Sequence, residues 1–215
     1  MTPLFAALLT LVATAAYAGL HSLLASLWAK AGARRLAGPA AGRFYRLGYN
    51  IVGAITLLPV LAIVALEPGP VLYIVPSPLS WLFLAGQAAA VIVVLAGLYQ
   101  TDVWHFLGLR QLVEPTDQRP AQLVTRGLYR YVRHPLYSAG LAFLWLTPLM
   151  TTTMLALVAG LSLYFYVGSL HEERRLRVEF GQAYVDYQRR VPGLIPRPHL
   201  RRARGPGATP RPDPG

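Results

Sequence analysis

The twenty Lys and Arg residues of this 215-residue chain fall into three blocks, Lys30 to Arg46, Arg110 to Arg133 and Arg174 to Arg211. Long, almost uncharged stretches separate the blocks. Basic residues near the ends of membrane spans are retained on the cytoplasmic side, so each stretch between two blocks must leave that side and return to it. The stretch ahead of the first block crosses once. This patterning predicts five spans, with the N-terminus outside and the C-terminus in the cytoplasm.

Composition agrees with that topology. Hydrophobic residues make up 54% of the chain and charged residues 13%, against about 25% charged in an ordinary soluble domain. Mean hydropathy is +0.42 and the pI is near 10.4. A net charge of +11 would suggest nucleic acid in a soluble chain. Here it is confined to membrane-proximal blocks, where anionic lipid attracts it, so membrane lipids are the expected partner and nucleic acid is not. The absence of cysteine excludes disulfides, thiolate-bound zinc, iron–sulfur clusters and cysteine nucleophiles. No metal site is expected. Ala13-Thr14-Ala15 and Ala16-Tyr17-Ala18 look like leader cleavage sites, but no basic region precedes them and the apolar run exceeds the 7–15 residues or so of a leader core. Pro3 to Trp28 therefore reads as a retained first span.

The second span runs from about Leu47 to Leu66 and contains Asn50 and Pro59. Glu67-Pro68-Gly69-Pro70 and Pro76-Ser77-Pro78 bracket a short external loop, and the third span covers Leu79 to Gln100. Asp102 to Leu112 reads as an interfacial helix and loop, turning polar at Glu114-Pro115-Thr116-Asp117. From His134 to Leu170 a break at Thr147-Pro148 divides the chain into two helices. At about 15–18 residues each they reach about 22–27 Å, short of a core of about 30 Å. A tight hairpin of spans 4 and 5 is expected. Beyond His171, Leu176, Phe180, Tyr184, Tyr187 and Val191 recur at helical spacing, predicting a cytosolic amphipathic helix that Gly181 weakens and Pro192 ends. The fold expected is all-α and integral to the membrane. Residues 1–198 form one domain, with a cofactor-binding part from about 97 to 198, and the basic, Pro- and Gly-rich residues 199–215 are expected to be disordered.

Two clusters could carry chemistry. The first, Gly127-Leu128-Tyr129-Arg130-Tyr131-Val132-Arg133-His134-Pro135-Leu136-Tyr137, lies at the cytoplasmic mouth of the hairpin. Pro135 fits the first turn of a helix, whose free N–H groups can face an anion. The plainer reading is lipid-phosphate anchors at Arg130 and Arg133 within an aromatic belt of Tyr129, Tyr131 and Tyr137. The second cluster is His171-Glu172-Glu173-Arg174-Arg175, where the returning helix leaves the membrane. A closed hairpin brings its Glu172 and Glu173 near His134 and Tyr137. Adjacent acids on a face already filled with arginine are more than a solvated charge run requires. Of the other polar residues, His21 and Asn50 read first as helix-to-helix hydrogen bonds and His105 as an interfacial histidine, with an acceptor pocket as the alternative for each. Arg110 and Gln111 are within reach of the same mouth.

As an ordered set, Arg133-His134-Pro135-Leu136-Tyr137, Glu172-Glu173-Arg174-Arg175-Leu176, Phe180-Gly181-Gln182-Ala183-Tyr184 and Val191-Pro192-Gly193-Leu194-Ile195-Pro196 resemble the isoprenylcysteine carboxyl methyltransferase and phospholipid methyltransferase superfamily. His21-Ser22-Leu23-Leu24-Ala25-Ser26, Gly108-Leu109-Arg110-Gln111 and Trp145-Leu146-Thr147-Pro148-Leu149-Met150-Thr151 are similar to its branch containing methanethiol S-methyltransferases and denitrification-associated membrane proteins. The resemblance implies methyl transfer from S-adenosyl-L-methionine. It implies that His134, Pro135 and Tyr137 help hold that cofactor, that Glu172 and Glu173 form a paired-acid motif, and that Tyr184 to Pro196 covers it. Gly97-Leu98-Tyr99 stands where phospholipid methyltransferases carry Gly-x-Gly, so Gly97 joins the cofactor-binding set by this likeness.

The chemistry fits the same cofactor. Its sulfonium and ammonium would attract Glu172 and Glu173, and its carboxylate would pair with Arg133 or a helix N-terminus. Transfer to a thiolate cancels charge, so a dry pocket suits it, and the protein acts by positioning and by removing water. His134 is the first candidate to take an acceptor proton and Glu173 the second. The expected acceptor is small and hydrophobic or lipid-like: a thiol, a prenylcysteine carboxylate or a phospholipid amine. No obligate protein partner is implied, and a bacterial inner membrane is the expected location. Two other classes stand beside this reading. One is a membrane haem protein using pairs from His21, His105, His134 and His171; the other is a non-catalytic assembly or transport component.

Overall fold

A computed structural model describes residues 1–38, 40–113 and 122–196. The polar turn at Glu114 to Asp117 and the arginine-rich tail with Arg201, Arg202, Arg204 and Arg211 lie outside the described residues. Nine α-helices and two short strands follow in order among the described residues. Four helices are long and apolar enough to cross a membrane, α1 (Pro3–Ala25), α3 (Ala40–Leu66), α4 (Leu79–Gln100) and α8 (Thr152–Phe180). Their outer surfaces are studded with exposed Leu, Val and Ile, which lipid rather than water solvates. The chain is an integral membrane protein.

Local chemistry sets the helix ends. Thr2 caps α1 by accepting from the Phe5 N–H, with Pro3 in the first turn. Ser26 adopts an extended conformation and starts the interfacial helix α2 (Leu27–Ala37), accepting from Ala29 N–H at 3.2 Å. Arg34 and Arg35 occupy the last turn of α2, where cations complement the helix dipole. Buried Thr10 and Thr14 return their hydroxyls to the Ala6 and Thr10 carbonyls of their own helix. Thr14 faces Gly160 of α8, where a Cβ would come within 2.9 Å of its methyl carbon. Val60, Val64 and Leu157 form the core between α1, α3 and α8, with Tyr17 and Leu161 packed against it.

Three expectations are corrected. The segment between the proline clusters is not a plain loop: β1 (Val71–Ile74) pairs antiparallel with β2 (Leu149–Thr151), register Val71↔Thr151, Tyr73↔Met150 and Ile74↔Leu149. The protein is thus mostly helical with one two-stranded ribbon, which also receives Val75 N–H on Pro148 O at 2.8 Å. Next, the hairpin is unequal. Helix α7 (Pro135–Trp145) has 11 residues and α8 has 29, about 16 Å against about 43 Å. Pro148 disfavours helix at the preceding residue and ends the first arm, while α8, capped by Thr151, meets no breaker before Gly181. Finally, the amphipathic stretch does not begin a new helix at His171. It is the end of α8, and Gly181 at φ +54 divides it from α9 (Gln182–Arg190). Its apolar face survives the break, since Tyr184 and Tyr187 are both buried.

Helix α4 carries α7 on its surface. Gln87 donates to Phe143 O at 3.0 Å, and a Cβ at Gly86 or Gly97 would meet Leu146 or Leu136 within 2.8 Å. At the inner end of α3, the Asn50 amide donates to the Phe106 and Leu107 carbonyls, and Arg46 donates to Phe106 O. Asn50 is therefore the cap of α5 (Val103–Leu107), a helix-to-helix tie. Gly108 follows at φ +86, and a Cβ there would lie 2.5 Å from Leu47 N and 2.9 Å from Arg46 C. Neither backbone atom can move aside. Gly108→Ala is expected to destabilise the protein by about 2–3 kcal/mol, from strained φ plus the clash, read as a fall in the thermal midpoint in detergent.

Candidate active site at the mouth of α7 and α8

A tight turn delivers the first half of the site. Gly127 takes φ +62 with the Gln100 amide packed against it, and Leu128 N–H donates to Gln100 Oε1. A 3-10 turn, Gly127–Arg130, then leads into buried Val132 and on to Arg133 and His134. Pro135 opens α7 without needing an N–H partner. The backbone N–H of Arg133 donates to Pro192 O and Gly193 O, and that of His134 to Gly193 O at 3.2 Å. Ser138 Oγ donates to Leu194 O. Residues 191–194 therefore lie as a strap across the start of α7.

The second half comes from the inner end of α8. Glu173 is buried, and its Oε1 accepts from Arg133 Nε at 2.8 Å, from Arg133 Nη2 and from His134 Nε2 at 3.2 Å. Its Oε2 accepts from Gln188 Nε2 at 2.9 Å. The third guanidinium nitrogen of Arg133, Nη1, donates to the Gln188 and Val191 carbonyls. One ion pair thus joins α7, α8, α9 and the strap. Glu172 stands on the other side of the imidazole, with Oε2 3.5 Å from His134 Nδ1. Its side chain is 48% exposed against 9% for Glu173. The two acids are not equivalent: Glu173 is consumed by the protein, while Glu172 remains open.

Tyr184 closes the cluster from α9 and is 1% exposed. Burial, then the Glu173 carboxylate, raises its phenol to about 12, so it stays protonated at any working pH. Its hydroxyl is buried with no hydrogen-bond partner of good geometry among the described residues. Tyr187 donates to Tyr129 O, tying α9 to the turn before α7.

Of the residues expected from sequence, Arg133, His134, Pro135, Tyr137, Glu172, Glu173 and Tyr184 meet at this mouth. Gly97 does not touch the charged cluster; it lets Leu136 and Leu128 approach α4. Arg110 pairs with Asp102, and Gln111 Nε2 bonds His105 Nδ1 at 3.2 Å, so both turn toward α5. His21 accepts or donates at Nε2 with Tyr49 Oη, a tie between α1 and α3. Sequence reasoning missed Gln188 and Ser138. Gln188 lies four residues after Tyr184 on the same helix face, and that spacing was its available signal.

The phospholipid methyltransferase family profile matches residues 83–183, from the start of α4 to the start of α9, including both charged clusters. Residues 83–183 are thus similar to that family. Methanethiol S-methyltransferase 2 of Bradyrhizobium diazoefficiens is 35% identical over 136 residues, 62% of this chain and 52% of that protein. The methanethiol S-methyltransferase of Crocosphaera subtropica is 34% identical over 108 residues, 49% of this chain and 42% of that protein. Protein-S-isoprenylcysteine O-methyltransferase B of Arabidopsis thaliana is 32% identical over 88 residues, 40% and 45% of the two chains. The chain thus spans about half the length of the curated relatives it matches. The relatives named methanethiol S-methyltransferase and the isoprenylcysteine O-methyltransferase are thus proteins this chain resembles over part of their length. No solved structure matches the chain.

Proposed function

We propose that this protein is a membrane methyltransferase that moves the methyl group of S-adenosyl-L-methionine to a small hydrophobic or lipid-like acceptor, a thiol before a prenylcysteine carboxylate or a phospholipid amine. The observation that carries this is the His134 imidazole held between Glu172 and Glu173 where α7 and α8 meet. The residues fit the cofactor. Glu172 is a half-exposed carboxylate for a cationic group, and the buried Tyr184 hydroxyl is an orphan donor. When bound, the cofactor supplies an electrophilic methyl on a sulfonium.

Everything else is positioning by this chain. His134, Pro135 and Tyr137 form the floor, Glu172 attracts positive charge, and Glu173 holds Arg133 and His134 in place. The strap and Tyr184 keep water from the mouth. Because Arg133 is committed to Glu173 and two carbonyls, its part is to hold the strap. The catalytic part of His134 and Glu173 is orientation in this reading, since each ring nitrogen of His134 already faces a carboxylate. Gly97 contributes by seating α7 on α4. The haem reading has less support: His105 bonds Arg46 and Gln111, His134 the two acids and His21 Tyr49, in three separate clusters.

In this account residues 1–198 act as one domain. Helix α7 and the extended residues after it complete a fifth crossing, the N-terminus is outside, and the mouth opens to the cytoplasm of a bacterial inner membrane. Titration of the purified protein with S-adenosylhomocysteine in a calorimeter tests it. Saturable 1:1 binding is expected, and no heat at millimolar ligand would refute the proposal. Membranes given methyl-labelled cofactor with thiols, prenylcysteine analogues or lipids then identify the acceptor, with thiols expected to take most label.

A further inference from the structure

A second polar site lies inside the helix bundle, and no part of the cofactor reading uses it. His21 of α1 stacks on Tyr17 at 5.5 Å between ring centroids, tilts against Tyr49 of α3 at 4.4 Å and meets Tyr164 of α8 edge-on at 6.2 Å. Its Nε2 lies 2.5 Å from Tyr49 Oη. Its Nδ1 is buried and has no hydrogen-bond partner among the described residues. A buried polar atom left in that state costs about 1–3 kcal/mol, and ionisable side chains inside membrane helices are kept for function. Gly53 makes the placement possible, since a Cβ there would stand 2.9 Å from His21 Cε1 and 3.0 Å from Nδ1.

This cage is joined to the mouth by rings. Tyr164 touches Phe165 at 6.0 Å, Phe165 stacks on Tyr137 at 5.5 Å, and Tyr137 stacks on His134 at 5.6 Å. The cage walls present phenol rings. Arg46 lies three residues before Tyr49 on α3. These walls carry no formal charge, so the polar feature a guest meets is the free Nδ1, which can accept from a donor. Among the described histidines, His134 and His105 have both ring nitrogens occupied and His171 is exposed.

We propose that the cage of Tyr17, His21, Tyr49 and Tyr164 is the acceptor site, and that His21 Nδ1 takes the proton of a small alkyl thiol. This rests on the methyltransferase reading and narrows its acceptor to a thiol. In the tautomer whose Nε2–H donates to Tyr49 Oη, the one the proposal requires, Nδ1 carries the lone pair. The S–H bond breaks, its electron pair stays on sulfur, and an N–H bond forms at Nδ1, leaving a thiolate beside an imidazolium. The thiolate is the nucleophile that methyl transfer consumes, and the proton passes to water when the thioether leaves. Tight packing around Nδ1 limits the guest to a short chain.

Ethanethiol and ethyl methyl sulfide, which lacks the proton, are titrated without cofactor into wild type, His21→Asn and Tyr49→Phe in detergent. S-adenosylhomocysteine is titrated in parallel. His21→Asn is expected to weaken ethanethiol about tenfold, the worth of one buried hydrogen bond, and to leave the other two ligands within about twofold. Tyr49→Phe, which frees the tautomer, should lower ethanethiol affinity about threefold. Unchanged ethanethiol affinity in His21→Asn overturns the proposal. Should that variant also lose S-adenosylhomocysteine, Tyr49→Phe decides, and thiol affinity equal to wild type overturns it. Ethanethiol binding by a wild type that ignores S-adenosylhomocysteine would sustain the thiol site and remove the cofactor reading.

Discussion

Glu173→Gln is expected to lower S-adenosylhomocysteine affinity about a hundredfold and to lower the thermal midpoint as well, whereas Glu172→Gln lowers affinity about tenfold at an unchanged midpoint. The acids are adjacent in sequence but differ in what they touch. Glu173 accepts from Arg133, His134 and Gln188 in a buried position, so neutralising it leaves the guanidinium without its counter-charge. Breaking a buried pair from one side costs about 3–5 kcal/mol, and an amide of the same shape recovers part of that. Glu172 is half exposed and pairs with His134. Its substitution should therefore spare the fold and subtract only what it gives a bound cation. Calorimetry and thermal unfolding of both variants read the two effects separately. Equal midpoints for the two variants would show that Glu173 is not the structural member of the pair.

Arg133→Ala should have the second largest effect, and its main signature is local. The side chain ties Glu173 to the Gln188 and Val191 carbonyls. Without it the strap keeps only its backbone bonds from Arg133 and His134 and the Ser138 contact, and Glu173 becomes an uncompensated buried carboxylate. Trypsin cleavage after the exposed Arg189 and Arg190 is expected to accelerate at least about tenfold, as local opening becomes more populated. S-adenosylhomocysteine binding should fall with it. Arg133→Lys retains the charge but not the planar fork, so an intermediate cleavage rate is expected. Cleavage at the wild-type rate in Arg133→Ala would mean that the strap is held elsewhere.

Much of this was legible in the chain. The basic blocks located the long spans: Leu79 to Gln100 was expected and observed, and α1 ends at Ala25 where Trp28 was expected. Those spans are set by local hydrophobicity, which any window of residues displays. The β-ribbon was not legible because its strands are three and four residues long, flanked by proline, and pair across more than seventy positions. The long α8 was hidden by the change from apolar to charged residues at His171, which alters the solvent but does not interrupt the helix. Gly181 read as a weak point, and only a positive φ turns weakness into a break.

The site divides in the same way. A closed hairpin was enough to expect His134 near Glu172 and Glu173, and the structure places them 3.5 and 3.2 Å apart. Their unequal roles were invisible, because Glu173 is distinguished by Arg133 and by Gln188 from a different helix. The strap's bonds to α7 use backbone carbonyls, which carry no sequence signature. His21 drew notice as a polar residue in a span, but its partner Tyr49 is 28 positions away. The phenol cage exists only once three helices pack.

Photolabelling the protein with methyl-labelled S-adenosyl-L-methionine, followed by peptide mapping, tests the central claim most directly. The account predicts saturable label on the segments containing His134 to Tyr137, Glu172 and Tyr184, competed away by S-adenosylhomocysteine and lost in Glu173→Gln. Saturable label elsewhere in the chain, with those three segments blank, would contradict it.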